Sequence, residues 1–364
     1  MLLREITKAL NEIAPLALQE SYDNAGLITG DPRMEINGAV LCLDSTEKVI
    51  DEAISKGVNL VIAHHPIVFA GLKSLTGKNY IERTIIKAIK NDIAIYAAHT
   101  NLDNVANGVN NKIADKLGLE ERRILAPMGG SLRKLAVFVP NDHVQAVQDA
   151  IFEAGGGAIG DYSECSFNLK GTGTFKPGNG TDPFVGEKGQ RHQEQETKVE
   201  VEFDRWKQSA IISAMKKAHP YEEVAYDIYE MKNSNPQVGA GMVGELKEPM
   251  EFSSFLKYLK NSMGVSVIRH THPVSETIKK VAVCGGSGSF LLPAAVGAGA
   301  DIFITGDFKY HQFFDADGKI VIADIGHYES EQFTIELFGD LLKEKFPTFA
   351  LHFTDVNTNP INYF

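Results

Sequence analysis

Seven side chains able to bind a metal or move a proton stand in similar places along this sequence: His64, His65, His99, Asp103, Asp307, His327 and Glu331. Each falls at or just beyond the end of an apolar run that reads as a buried strand. The set offers imidazoles and carboxylates and no thiolate, which suits Zn²⁺, Mn²⁺ or Fe²⁺ better than a structural cysteine-rich zinc. Three of the histidines (His64, His65, His327) with Asp103 and Glu331 exceed the three protein ligands typical of one catalytic zinc. Five donors suit two ions about 3.5–4 Å apart that share a carboxylate or a water. A water so held would be acidified for attack. His99 and Asp307 are then candidates to relay its protons or to orient the ligands.

The elements that must position these groups follow from the apolar pattern. In "VNLVIAHHPIVF" the two histidines are adjacent, and neighbouring side chains of a strand face opposite ways. A strand ending at Ala63 frees both rings to converge, and Pro66 supports such a stop, having no N–H to give the ladder. His327 and Glu331 are four apart in what reads as a first helical turn, so they share a face. Strands and helices alternate through about residue 125: "GAVLCLDST", "EKVIDEAISKG", "VNLVIAHHP", "YIERTIIKAIKN", "DIAIYAAHTNLD". The same grammar returns after about residue 276 and ends in "QFTIELFGDLLKEKF". Such alternation predicts an α/β fold with parallel-rich sheets and crossover helices, whose ligands gather at the carboxyl ends of strands. The halves can be laid over each other, matching His65 with Asp307, His99 with His327 and Asp103 with Glu331.

The middle differs. Strand, helix and strand occur twice around a glycine-rich polar stretch, "GTGTFKPGNGTDPFVGEKGQRHQEQE", which reads as a flexible loop or a hairpin. That order predicts an inserted ferredoxin-like α+β domain at 129–235, with 1–128 and 236–364 forming one discontinuous domain.

Composition narrows the function classes. A formal net charge of -11 argues against a general nucleic-acid surface and against anionic membranes. Cys42, Cys165 and Cys284 are widely spaced and odd in number, which fits a reducing cytoplasm and gives neither a disulfide framework nor a thiolate metal site. No segment approaches the roughly 20 apolar residues that span a bilayer. The first residues, "MLLREITKALNEIAPLAL", read as a packed amphipathic helix rather than a secretion signal.

Weaker candidates remain beside this set. "CGGSGS" at 284–289 follows a strand and precedes a helix, so its amides can bind phosphate or simply make a tight turn. "HPYEE" at 219–223 reads as a turn into a strand. Asp44 in "LCLDST" reads as a helix cap.

"ESYDNAGLITGDP", "AHHP" at 63–66, "AAHTNLD" at 97–103, "GDFKYH" at 306–311 and "GHYESE" at 326–331 together resemble the Nif-three-like family, also called the GTP cyclohydrolase I type 2 homologue family. The middle, ending "HPYEEVAYDIY", resembles the insert of longer bacterial members, likened to the PII and CutA fold. The resemblance implies two divalent metal ions per chain on His64, His65, Asp103, His327 and Glu331, with the two carboxylates as bridging candidates. It implies a homohexamer, a trimer of dimers, with sites facing an internal cavity. The expected function is a metal-dependent hydrolase of a small polar or nucleotide-like molecule. In ring opening of a purine such as GTP, the water would attack the imidazole-ring carbon. The alternative is a metal- or metabolite-sensing assembly that responds through its insert, or an insert that filters substrates by size.

Overall fold

Runs with no polar face must be covered on both sides, and here they become the inner strands of two sheets. In the computed structural model, which describes residues 1–364, the chain opens with α1 (Leu3–Ile13), β1 (Gly26–Thr29), β2 (Gly38–Asp44) and α2 (Glu47–Lys56). It continues through β3 (Leu60–His65), α3 (Tyr80–Lys90), β4 (Ala94–Ala97), α4 (Thr100–Asp103), α5 (Val109–Lys116) and β5 (Glu120–Pro127). Then come β6 (Leu132–Pro140), α6 (Val144–Glu153), β7 (Phe167–Phe175), β8 (His192–Asp204), α7 (Gln208–Ala218) and β9 (Tyr226–Glu230). The last part holds β10 (Gly239–Glu251), α8 (Phe252–Met263), β11 (Arg269–His270), β12 (Thr277–Ser287), α9 (Leu292–Gly297) and β13 (Ile302–Gly306). It ends with β14 (Val321–Asp324), α10 (His327–Glu331), α11 (Thr334–Lys345) and β15 (Ala350–Phe353). Two compact units result: Met1–Pro127 with Pro236–Phe364, and Met128–Asn235.

The first unit is mixed α/β with two sheets, the first mostly parallel and the second mixed around a parallel trio. One has the order β1-β4-β3-β2-β15 and the other β11-β14-β13-β12-β10-β5. Strands β2, β3 and β4 are parallel, as are β12, β13 and β14, and each trio carries an antiparallel neighbour, β1 on β4 and β11 on β14. The proposed overlay of the two halves is therefore visible as topology. His65 ends β3 and Asp307 follows β13; His99 and His327 follow β4 and β14; Asp103 and Glu331 end α4 and α10.

Local chemistry explains the elements. Thr46 starts α2 by accepting from the Val49 amide at 3.4 Å, and Asn79 starts α3 by accepting from the Glu82 amide at 2.9 Å. Leu3, Ile6 and Leu10 form the buried stripe of α1, and Phe255, Leu259 and Met263 that of α8. These stripes join Leu41, Leu60 and Ile62 of one sheet and Val281, Ile302 and Val321 of the other in one core. Each such side chain contributes about 1.5–3 kcal/mol on burial.

The unit Met128–Asn235 runs strand, helix, strand, strand, helix, strand. Its sheet order is β7-β8-β6-β9 with every pair antiparallel, the split-βαβ arrangement. The glycine-rich stretch resolves as a hairpin: Phe175 on β7 pairs with His192 on β8.

Candidate metal centre

Glu331 is the centre of the site. It is 3% exposed, and its two oxygens face different imidazoles. Oε1 lies 3.5 Å from His64 Nε2; Oε2 lies 2.9 Å from His65 Nε2 and 3.1 Å from His327 Nε2. The helical spacing of His327 and Glu331 delivers both to one point.

The strand stop expected at Ala63 does not occur. Strand β3 continues through His65, which pairs in register with Asp44 of β2. The two rings, with centroids 4.9 Å apart, reach the same carboxylate because it offers one oxygen to each. That register also corrects the reading of Asp44. Thr46 is the cap, while Asp44 accepts from His65 Nδ1 at 2.8 Å and from Thr358 Oγ1 at 2.7 Å.

Each ligand candidate is aimed from behind. His64 Nδ1 donates to the Ala98 carbonyl at 2.8 Å, and His327 Nδ1 donates to Asp307 Oδ2 at 2.7 Å. Asp307 holds a left-handed φ of 60°, a conformation Asp tolerates better than most residues. With each Nδ1 committed to a partner behind it, the Nε2 atoms of His64, His65 and His327 point at one another and at the Glu331 carboxylate. His64 Nε2 and Asp103 Oδ1, 3.7 Å apart, are buried with no hydrogen-bond partner, and His65 and His327 Nε2 lie 3.2 Å apart. Acceptors crowded in this way need protons or cations between them.

The protonation equilibria say the same. Burial opposes the charge on His65, but Asp44 and Glu331 outweigh it and lift the group to about 9. Burial likewise opposes His327, and Asp307 with Glu331 raises it to about 11. His64, fully buried, is pushed down. Burial, then the charge of Glu331, pushes Asp103 well above the usual carboxylate range. Burial also works against ionised Glu331, yet its imidazole neighbours His64, His327 and His65 hold it well below that range.

Three donor sets lie within 4.8 Å: His64, Asp103 and Glu331; His65, His327 and Glu331; His64, His65 and His99. Glu331 is common to the first two, whereas Asp103 belongs to one. The donor chemistry fits divalent cations.

His99 stands beside this cluster, its ring centroid 5.2 Å from that of His64 and 5.4 Å from that of His65. Its Nδ1 donates to Asp23 Oδ1 at 2.8 Å, and Asp23 also accepts from the Thr100 amide at 3.1 Å and from the Thr100 hydroxyl. Burial works against ionised Asp23, and these hydrogen bonds hold it down at about 2. Asp23 lies in the "ESYDNAG" stretch with no local spacing that marks it as a partner of His99.

The phosphate reading of "CGGSGS" is overturned. The amide of Gly285 donates to Asn110 Oδ1 at 3.0 Å, that of Gly286 to Ser330 Oγ at 2.9 Å and that of Gly288 to Thr305 Oγ1 at 3.0 Å. Those donors are spent on protein. The glycines instead make room for Glu331: Gly286 has φ +62°, and a Cβ there would sit 2.4 Å from Glu331 Oε1. His219 of "HPYEE" donates through Nε2 to the Phe138 carbonyl at 2.9 Å, in a turn ahead of β9.

A cavity of about 940 Å³ opens onto His65, His99, Asp103, His327 and Glu331, with Phe69, Leu72, Phe290, Tyr328 and Ile361 among its walls.

Two sheets presenting a histidine–carboxylate cluster at the ends of their parallel strands define the class, and the comparisons agree. Residues 1–360 match the family described as Duf34/NIF3 (NGG1p interacting factor 3). A Halalkalibacterium halodurans protein called "GTP cyclohydrolase 1 type 2 homolog" is 42% identical over 356 residues, 96% of this chain and 95% of that one. A Bacillus subtilis protein of the same name is 39% identical over 366 residues, 99% and 98% of the two chains. A crystal structure of a Bacillus cereus protein related to NIF3 superposes with a TM-score of 0.86 at 36% identity, covering 100% and 99% of the two chains. The chain belongs to the Duf34/NIF3 family. No helix is long and apolar enough to cross a membrane.

Proposed function

We propose that the chain is a dinuclear metal-dependent hydrolase acting on a small polar, nucleotide-like molecule. The observation that carries this reading is Glu331, with one oxygen toward His64 and the other toward His65 and His327. His64, Asp103 and Glu331 would hold one divalent ion and His65, His327 and Glu331 the second, with Zn²⁺ favoured and Fe²⁺ or Mn²⁺ also suited to the donors. Such a pair supplies Lewis-acid polarisation and a water acidified toward neutrality.

The chain's own residues do the rest. Asp44, Asp307 and the Ala98 carbonyl fix the three rings so that each Nε2 faces inward; such backing partners commonly change metal affinity 10- to 100-fold. Asp307 serves His327 and therefore acts as a positioning residue. His99, backed by Asp23, can hold or move a proton at Nε2. The cavity of about 940 Å³ is large enough for a nucleotide, and its apolar walls limit water around it. The name of the Halalkalibacterium and Bacillus relatives makes GTP the first substrate to assay.

Metal-loaded protein is expected to turn over GTP or a member of a phosphoester panel, and His65→Ala to lose that turnover. Equal rates for protein and variant across GTP and the whole panel overturn the reading.

The split-βαβ connectivity of Met128–Asn235 supports a second reading, a PII/CutA-like insert through which a ligand regulates a partner. Deleting 129–235 separates the two: unchanged metal content and turnover leave the insert to regulation or structure. We further propose a cytoplasmic homohexamer; the three free cysteines and the exposed rings at Tyr310, Phe314 and Phe290, which are 73%, 67% and 65% exposed, support it. Sedimentation of a monomer would count against the hexamer.

A further inference from the structure

The unit Met128–Asn235 has a cavity of its own, about 400 Å³, that the metal chemistry does not use. It lies among β7, β8, the loop joining them and the turn after α7. Three rings wall it: the centroids of Phe175 and Tyr221 are 5.9 Å apart and those of Phe184 and Tyr221 are 6.2 Å apart.

A carboxylate lies at its side. Glu196 is only 8% exposed, and its Oε1 accepts from the Tyr221 hydroxyl at 3.0 Å. The other oxygen is packed over Gly173, where a Cβ would come within 2.1 Å of Oε2. Glycine on β7 therefore keeps the space that Glu196 occupies. Tyr221 is itself braced: its amide donates to His219 Nδ1 at 3.1 Å, and the two rings stand 5.0 Å apart. Glu222 accepts from the Asp182 amide at 2.9 Å and so ties the loop down. The charged residues lining the cavity are Lys176, Glu196, Glu222 and Glu223, one cation against three acids.

A carboxylate largely out of water is costly without a counter-charge, and aromatic faces attract cations, above all alkylated ammonium groups. A metal ion is the poorer fit, because all three converging donor sets lie in the other unit. We infer that this cavity is a binding site for a small organic cation, with an alkylammonium head held among Phe175, Phe184 and Tyr221 and its charge answered by Glu196. The inference goes beyond the hydrolase reading and does not depend on it.

The test is titration calorimetry on the full chain with choline, and with 3,3-dimethyl-1-butanol as the neutral carbon counterpart. Choline is expected to bind at least roughly tenfold more tightly than the neutral alcohol. Glu196→Gln is expected to weaken choline binding by roughly tenfold. Phe184→Leu, at a ring 53% exposed and therefore safe for folding, is expected to weaken it by roughly two- to thirtyfold. Metal content in both variants should match the parent, which separates this result from any failure at Glu331. Equal affinity for the neutral alcohol, no heat with choline at roughly 10 mM, or displacement of choline by ATP bound to the same cavity would each overturn the assignment.

Discussion

Glu331→Gln is expected to empty both metal positions at once, taking elemental analysis from about two ions per chain to well below one. The side chain is nearly isosteric, so the loss reports charge and bridging rather than volume. Oε1 faces His64 and Oε2 faces His65 and His327, and no other carboxylate belongs to both donor sets. His64→Ala removes a donor from one set and leaves the His65–His327–Glu331 set complete, so it should retain about one ion. Gly286→Ala gives the same result by another route. Its Cβ would press on Glu331 Oε1 from 2.4 Å at a φ of +62°, so both ions should be lost with every donor still present. Gly297→Ala, where a Cβ meets nothing within 4 Å, is the control and should keep both. Equal metal content in Glu331→Gln, His64→Ala and the parent would sink the assignment.

How much of this was legible beforehand depends on where each signal lives. His327 and Glu331 were readable because a helix brings positions four apart onto one face, and the contact at 3.1 Å is that spacing made physical. Strands β13 and β14, buried throughout, and β2 and β3, buried up to their last residue, were readable for the same local reason, as apolar runs. Asp44 was misread because its role comes from sheet register, the pairing of Asp44 with His65, which local sequence does not encode. The Ala98 carbonyl behind His64 carries no residue-type signal at all. "CGGSGS" misled for a related reason. A glycine turn shows that backbone comes close to something, but the something was Glu331 rather than a phosphate. The convergence of His64 and His65 does not come from a strand stop, since the strand runs through both. What unites them is a carboxylate from more than 260 residues away (265 separate His65 from Glu331), a tertiary fact.

Chelator-stripped protein is expected to melt at a lower temperature than the same protein with Zn²⁺ or Mn²⁺ restored, and the gap should widen as pH rises from about 6 to 8. A ligand that binds only the folded state at a hundred times its Kd adds about 2.7 kcal/mol. In a unit of this size each kcal/mol moves Tm by about 2–4 °C, so a shift of roughly 5–10 °C follows. The pH sign comes from the imidazoles. In the metal-free fold His65 is lifted to about 9 and His327 to about 11, so at neutral pH protons sit where a cation must enter. Groups raised in the folded state contribute stability that is full below their unfolded value, about 6.5, and fades as pH climbs through the folded ones. The metal-free protein thus loses this support with rising pH, while the cation meets fewer competing protons and binds better. Calorimetry in buffers of different ionisation enthalpy should register protons released on metal uptake. His65→Ala should lower both the release and the thermal shift. A shift that is absent, or that shrinks as pH rises, would mean the crowded acceptors around Glu331 are satisfied by protons alone.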